Sequence, residues 1–148
     1  MARYRTTVES RLPAAEAFVA LAHFDRALEW DPGVVESEDL GTGPLEVGRA
    51  FRLVIKNGGR RMELRYEITA LDPDRRVVLE APSKWFRSVD EITFVPTATG
   101  TAVTYDADLR LQGAARVADP LLKLAFGRIG DKAAAGLQVF LNPAVDRH

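Results

Sequence analysis

The sequence predicts an α+β domain in which a seven-stranded curved antiparallel sheet carries two short helices after its first strand and is covered by one long C-terminal helix. Two observations lead to this. Apolar and polar residues alternate along a series of short segments separated by turn residues. The last part of the chain changes to the spacing of an amphipathic helix. The 148 residues suffice for one core, and we expect residues 1–148 to form a single domain.

The first strand and the two short helices are predicted from the N-terminal part of the chain. Over residues 3–11, charged and polar side chains alternate with a second face made by Tyr4, Thr6, Val8 and Ser10. Pro13 stands where a helix can begin, and apolar spacing predicts that helix over 14–23. A second short helix is predicted over 25–29.

Six further strands are predicted over residues 34–40, 49–56, 60–71, 75–81, 85–95 and 101–111. Asn57 and Gly58 separate two of them, and an Asn-Gly pair favours a tight hairpin turn that requires positive φ. The short connections predict an antiparallel meander. Because each strand has one apolar and one polar face, we expect one side of the sheet to be covered.

The C-terminal helix is predicted from a stripe of apolar and small residues at helical spacing: Leu121, Leu124, Ala125, Ile129, Ala133, Gly136, Leu137, Phe140 and Leu141. The helix begins either at Asp119, as a cap before Pro120, or at Ala114 with a kink at that proline. Asn142 and Pro143 end it. Its interior holds three glycines, each costing about 1 kcal/mol relative to alanine. Close approach to the sheet or space for a ligand would explain Gly127, Gly130 and Gly136.

Composition excludes several classes of function. Twenty basic against twenty-one acidic residues give a net charge of -1 without a basic block, so we expect no nucleic-acid partner. The absence of cysteine excludes thiolate metal sites and thiol nucleophiles, and two histidines disfavour a histidine-rich metal site. We expect no metal, no cofactor and no stable membrane insertion, since no apolar run has the length of a membrane span. Without an N-terminal signal core, the expected localisation is cytoplasmic.

The order of one strand, two short helices, six strands and a long helix is that of the helix-grip fold. The sequence resembles the START-like (SRPBCC, birch-pollen-allergen-like) superfamily, particularly its bacterial polyketide cyclase/dehydrase and lipid transport members. The resemblance covers essentially the whole chain and is specific for the fold, not for a function. It is carried by residues 13–18, Asp25 with 30–32, Gly48, and the segments 71–75, 94–96 and 100–105.

The resemblance implies a ligand pocket between the inner sheet face and the long helix. A packed core made of the same side chains is the alternative. A mostly apolar wall with a few polar groups suits a small hydrophobic or aromatic ligand. From the apolar strand faces and the helix stripe, the predicted lining is Phe51, Leu53, Leu64, Tyr66, Leu79, Phe86, Ser88, Asp90, Ile92, Tyr105, Ala107, Leu121, Ala125 and Ile129.

Asp90 is the polar exception of greatest interest. If Ile92 points inward, the two-residue period places Asp90 and Ser88 on the same face. A carboxylate under an apolar helix would have a raised pKa and could act as a general acid or base, or bind a ligand hydroxyl or amine. A local bulge that turns Asp90 outward, or pairing with a neighbouring arginine, would avoid this burial, and we expect one of these two.

Aromatic side chains give further candidates. Tyr66 and Tyr105 either bring hydroxyls into the pocket or are core residues with the hydroxyl at its rim. Trp30 is interpreted as the packing anchor of the second helix, and the pair Trp85 and Phe86 is expected near the pocket mouth. His23 lies near a helix C-terminus, where a cation is favoured, and is not expected to be catalytic.

No nucleophile elbow, paired-carboxylate motif, phosphate loop or metal spacing is present in the sequence. The leading hypothesis is therefore a binder or carrier of a hydrophobic small molecule, such as a lipid, an isoprenoid or a polyketide. The second is a polyketide cyclase or dehydratase with Asp90, Tyr66 and Tyr105 as catalytic candidates. The third is a protein-interaction module that uses the helix face of Leu122 and Phe126. A homodimer is left open.

Overall fold

The computed structural model describes residues 2–57 and 59–143, without the side chains of residues 57, 114 and 117–124. Seven strands form one sheet, and every predicted strand end lies within one residue of the observed end. The strands are β1 (Ala2–Ser10), β2 (Val34–Asp39), β3 (Ala50–Asn57), β4 (Arg60–Asp72), β5 (Arg76–Pro82), β6 (Phe86–Pro96) and β7 (Thr101–Leu111).

The helices follow the predicted order. Helix α1 spans Ala14–Ala22, and a 3-10 turn at Phe24–Arg26 leads into the single turn α2 at Ala27–Trp30. The long helix α3 spans Asp119–Phe140 and is preceded by a 3-10 segment at Gly113–Ala118. Of the two predicted starts, the one at Asp119 is therefore correct.

The sheet has the strand order β1-β7-β6-β5-β4-β3-β2, and every neighbouring pair is antiparallel. The first strand thus lies beside the last, and the rest is a meander. Register shifts interrupt β2 after Val34 and β4 after Ile68, and such bulges increase local bend and twist. Asn57 pairs with Arg60 as the predicted hairpin requires, while Gly58 lies outside the described residues.

Two sets of helices cover the same face of the sheet. Helix α1 and the 3-10 turn after it lie over one part, where Phe18 contacts Phe94 edge to face at 5.4 Å between ring centroids. Phe24 contacts Tyr66 in the same way at 4.9 Å. Helix α3 covers the part formed by β1 and its neighbours. A curved antiparallel sheet covered by a C-terminal helix is the helix-grip architecture, so the predicted fold class is confirmed.

Two of the three glycines in α3 lie where another structural element approaches closely. A Cβ atom at Gly136 would fall 1.9 Å from the carbonyl oxygen of Trp30, and one at Gly130 would fall 2.3 Å from the ring of Tyr4. Close approach thus accounts for both, although the neighbour of Gly136 is α2 and not the sheet. A Cβ atom at Gly127 would meet nothing within 4 Å.

The C-terminal end of α3 is fastened to the end of β1 by hydrogen bonds. Ser10 donates its buried hydroxyl to the carbonyl of Leu141 at 2.7 Å. The Asn142 side chain donates to the carbonyl of Glu9 at 2.8 Å and accepts from the backbone N–H of Arg11 at 2.9 Å. These bonds fix the position of the helix over the sheet. Among the described residues, no helix is both long enough and apolar enough to cross a bilayer.

Candidate functional site

Helix α3 and the sheet leave a cavity between them with two adjoining parts. We call the part near β1 the inner chamber; its volume is about 140 Å³. The part near the β3–β4 hairpin is the outer chamber, with about 410 Å³. Both are walled by Asp31, Gly33, Ile55, Tyr66, Ser88, Phe126 and Ile129.

The two chambers differ in their remaining walls. The inner chamber adds mostly aromatic and hydroxyl-bearing side chains from the sheet and α2, and mostly small ones from α3: Tyr4, Thr6, Trp30, Asp90, Tyr105, Ala107, Gly130, Ala133, Ala134 and Leu137. The outer chamber adds apolar side chains and two lysines: Pro32, Lys56, Met62, Leu64, Phe86, Leu109, Leu111 and Lys132.

Asp90 faces the inner chamber and is only 6% exposed. Strand β6 pairs without a register shift on both sides of it, so no bulge turns the side chain outward. No arginine among the described residues bonds to it. Its hydrogen bond comes instead from the hydroxyl of Tyr105 at 2.5 Å. The expectation of an outward or arginine-paired Asp90 is therefore wrong, because the regular period of β6 carries the carboxylate inward with its neighbours Ser88 and Ile92.

Burial raises the pKa of Asp90 to about 7. The hydrogen bond from Tyr105 favours the charged form and opposes the rise, while the negative charge of Asp31 adds to it. The titratable groups that share the chamber with Asp90 are Tyr4, Asp31, Tyr66 and Tyr105, and α3 contributes only apolar residues and glycine there. Near neutral pH the carboxyl group can thus both donate and accept a proton.

The two tyrosines bring their hydroxyls into the cavity and not to its rim. Tyr66 shares a hydrogen bond with the hydroxyl of Ser88 at 2.9 Å, and either oxygen can be the donor. Burial, together with the negative charge of Asp90, raises the pKa of both Tyr66 and Tyr105 well above 10. Both phenols therefore remain protonated near neutral pH and can donate hydrogen bonds to a ligand oxygen or nitrogen.

Asp31 is a second carboxylate in the cavity that the sequence did not single out. It follows α2, lines both chambers, and accepts a hydrogen bond from the backbone N–H of Gly33 at 2.9 Å. Burial raises its pKa too, although that hydrogen bond opposes the rise. The sequence indicated a turn after Trp30, but turns lack the regular alternation that predicts the direction of a side chain in a strand or helix.

Eight of the predicted lining residues do line the cavity: Leu64, Tyr66, Phe86, Ser88, Asp90, Tyr105, Ala107 and Ile129. Four others are fully buried in the core and contact neither chamber: Phe51, Leu53, Leu79 and Ile92. Ala125 is exposed on α3, so its predicted place in the lining is corrected. The side chain of Leu121 lies outside the described residues.

The helix face proposed for protein contacts is also corrected in part. Phe126 is half-buried and lines both chambers, so it does not form an outer surface. The side chain of Leu122 lies outside the described residues. Trp30 is 6% exposed and contacts the ring of Tyr105 at 5.5 Å, which confirms it as a packing anchor. Trp85 is exposed beside Phe86, which lines the outer chamber.

Away from the cavity, His23, Asp25 and Asp39 place possible metal-ligand atoms within 4.8 Å of one another. Both carboxylate oxygens of Asp39, however, accept hydrogen bonds from the buried guanidinium of Arg49, each at 2.7 Å. This ion pair lowers the pKa of Asp39. Arg49 thus neutralises the charge of Asp39, and the same guanidinium holds the loop before β3 in place by donating to its backbone carbonyls.

The fold and the cavity define a START-like domain. Its sequence matches the model of the family described as polyketide cyclase / dehydrase and lipid transport over residues 1–139, and the chain belongs to that family. No curated protein matches the chain in sequence.

Solved structures share the fold at low sequence identity. A START superfamily protein from Mycobacterium smegmatis has a TM-score of 0.76 and 17% identity, covering 95% of this chain and 97% of that one. The Zhui aromatase/cyclase from Streptomyces sp. R1128 has a TM-score of 0.74 and 16% identity, covering 92% and 90%. TTHA0849 from Thermus thermophilus has a TM-score of 0.71 and 16% identity, covering 95% of both chains. At these identities the likeness is one of fold.

Proposed function

We propose that this protein binds a small, mainly apolar ligand, such as a lipid, an isoprenoid or a polyketide, in the cavity between the sheet and α3. The observation that carries the proposal is the cavity itself, with an outer chamber of about 410 Å³ and an inner one of about 140 Å³. Cavities of this size with mostly apolar walls and a few inward polar groups are typical of small-molecule sites.

The polar groups support a ligand with a defined orientation. Asp90, Tyr105, Tyr66 and Ser88 form two hydrogen-bonded pairs at the inner end. The outer chamber instead presents the apolar side chains of Leu64, Phe86 and Leu109. A ligand would therefore place an oxygen or nitrogen inward and its hydrocarbon part outward, because each environment stabilises the matching part of the molecule.

A cavity-filling variant tests this proposal. Ala133 lines the inner chamber, and Ala133→Phe would occupy space that a ligand needs. Gly127→Ala on the same helix is the control, since its new methyl group meets nothing within 4 Å. Native mass spectrometry of protein purified from its own host should show a bound small molecule in the wild type and the control but not in Ala133→Phe. Ligand-free wild-type protein that no lipid or aromatic compound stabilises against heat would contradict the proposal.

A polyketide cyclase or dehydratase is the second candidate, and the carboxyl group of Asp90 favours it. With a pKa of about 7, this group could remove a proton from the carbon between two ketones of a bound chain. The resulting enolate would form a carbon–carbon bond to a third ketone of the same chain. The Asp90 proton, or that of Tyr105, would then neutralise the new alkoxide, so that the step needs no external reactant.

Asp90→Asn and Tyr66→Phe distinguish catalysis from binding alone. On a poly-ketone substrate, catalysis predicts that each variant loses turnover while its dissociation constant for the substrate changes little. Glu91→Gln, on the same strand but the opposite face of the sheet, is the matched control. Full activity of both cavity variants would exclude these catalytic roles and leave binding as the function.

A further inference from the structure

The inner chamber contains two carboxyl groups and no group of opposite charge. Asp31 and Asp90 both line it, and none of its described lining residues is lysine, arginine or histidine. Asp90 is more than nine-tenths buried, and its bonded partner Tyr105 is a neutral phenol. A buried carboxylate without a cationic partner is electrostatically unfavourable, and a bound cation would relieve that cost.

The other walls of this chamber also favour a cation. Five aromatic side chains line it: Tyr4, Trp30, Tyr66, Tyr105 and Phe126. Aromatic rings attract ammonium groups, and protein sites for substituted ammonium ions are commonly built from several such rings. A chamber of about 140 Å³ has room for a small polar group, not for a whole ligand.

The outer chamber has the opposite charge. Lys56 and Lys132 line it together with apolar residues such as Met62 and Leu111, and it contains a carboxyl group only where Asp31 joins the two chambers. A positive group on a ligand would be repelled at the outer end and attracted at the inner end. A ligand with a positive charge at one end should therefore bind with that end in the inner chamber.

We propose that the ligand is an amphiphilic amine whose protonated nitrogen lies in the inner chamber against Asp31 and Asp90, with its hydrocarbon part in the outer chamber. This inference rests on the proposed binding function and specifies the chemistry of the ligand. An alcohol of the same length would make the same apolar contacts without relieving the buried negative charge. A carboxylate would add a third negative group to the inner chamber.

Three probes of equal chain length test the assignment: n-decylamine, 1-decanol and decanoate, each used below its solubility limit and, for the two ions, below the micelle concentration. The chain has two tryptophans, and Trp30 lines the inner chamber while Trp85 is exposed. In a Trp85→Phe background, fluorescence titrations therefore report on Trp30 alone. Measurements at pH 8 keep the amine protonated and Asp90 mainly ionised. We expect n-decylamine to bind at least about tenfold more tightly than 1-decanol, and decanoate to bind most weakly.

Charge-removing variants locate the preference. Asp90→Asn and Asp31→Asn keep side-chain size, and an asparagine at 31 can still accept the hydrogen bond from Gly33. Each should lower the affinity for the amine towards that for the alcohol, and the double variant Asp31→Asn/Asp90→Asn should bring the two together, while the affinity for 1-decanol stays unchanged. The control Glu91→Gln removes a carboxylate on the other face of β6 and should keep the full preference, which separates a buried site from surface attraction.

Three results would overturn the proposal. If amine and alcohol bind equally to the wild type, or if decanoate binds most tightly, the cavity binds apolar ligands but does not select a cation. The same holds if the double variant Asp31→Asn/Asp90→Asn retains the preference for the amine. If none of the three probes binds, the proposed binding function fails as well, and with it the inference.

Discussion

The hydroxyl of Tyr105 on β7 donates a hydrogen bond to the carboxylate of Asp90 on β6 inside the cavity. The register of the two strands explains why they meet. Asp90 pairs with Ala107, and Ile92 pairs with Tyr105, so Asp90 and Tyr105 are diagonal neighbours on the same face. Long side chains in that relationship are within reach of each other. The bond thus follows from the sheet, and it orients the buried carboxyl group of Asp90.

Asp90 should make the protein less stable as pH rises. Its pKa is about 7 in the folded state against 3.8 as the ordinary value, so between these limits the folded protein holds a proton that the unfolded chain has lost. The free energy of unfolding should then fall by about 1.4 kcal/mol per pH unit through this group alone. Above pH 7 the contribution is constant.

Urea unfolding of the wild type and Asp90→Asn at pH 4, 5.5 and 7 measures this effect. Between pH 4 and pH 7 the free energy of unfolding of the variant should rise relative to that of the wild type by a few kcal/mol, since asparagine has no charge to bury. Glu91→Gln should follow the wild type. If the free energies of unfolding of the wild type and Asp90→Asn differ by the same amount at all three pH values, Asp90 has the same pKa in the folded and unfolded states.

None of the tyrosines should ionise near pH 10 while the protein is folded. The chain has three tyrosines. The hydrogen bond to Asp131 and partial burial raise the pKa of Tyr4 to about 12, and burial raises the pKa of Tyr66 and Tyr105 well above the ordinary value. Absorbance at 295 nm should therefore show no tyrosinate at pH 10.5, and it should rise when urea is added.

The same shifts mean that stability falls above pH 10, because the unfolded chain releases phenolic protons that the folded protein retains. Tyr4→Phe provides the comparison. In this variant Tyr66 and Tyr105 alone should determine the pH at which tyrosinate absorbance appears. If tyrosinate absorbance of the wild type rises near pH 10 without loss of secondary structure, burial and hydrogen bonding do not raise the pKa of all three tyrosines.

Gly136→Ala and Gly127→Ala should have opposite effects although both replace a glycine in α3. The new methyl group at 136 would overlap the carbonyl oxygen of Trp30, a backbone atom that cannot move aside alone. We expect a loss of about 1–3 kcal/mol. At 127 the methyl group meets open space, and helix propensity should give a gain of up to about 1 kcal/mol. Denaturant unfolding measures both; a stabilising Gly136→Ala would show that no close contact exists there.

Ser10→Ala should weaken the attachment of α3 to β1. The hydroxyl donates to the carbonyl of Leu141 and accepts from the backbone N–H of Leu12, and the alanine leaves both groups without that partner. The expected cost is about 1–3 kcal/mol, because the site is buried. Thr7→Val, which removes an exposed hydroxyl bonded to Thr104 on the same sheet, should change stability by only a few tenths of a kcal/mol. Equal effects would contradict the role given to Ser10.

The strands and their faces could be predicted because a two-residue period specifies direction as well as structure. It placed Ser88, Asp90 and Ile92 on one face, which the structure confirms. What the period could not predict is which helix covers each part of that face. Ile92 lies in the core and lines neither chamber, whereas Asp90, two residues earlier, faces the space under α3. Core and cavity residues therefore share one sequence pattern.

The remaining errors have local causes. Asp31 was missed because it lies in a turn, where no period indicates direction. Ala125 was placed in the lining because alanine fits both an apolar stripe and a surface position, and the structure leaves it exposed. The outward Asp90 was expected because an unpaired buried carboxylate is costly. In the structure Asp90 is buried nevertheless, and the hydrogen bond from Tyr105 offsets only part of the free-energy cost of burying its charge.

The contact between Gly136 and Trp30 also determines how ligand preference in this domain could change over evolution. Trp30 touches α3 through its carbonyl group while its indole ring lines the inner chamber. Residue 136 lines neither chamber, yet its size sets how near α3 lies to α2, whose Trp30 forms part of the inner chamber wall. A single larger residue there would widen the cavity without altering any wall. Relatives with identical pocket residues could therefore hold ligands of different bulk.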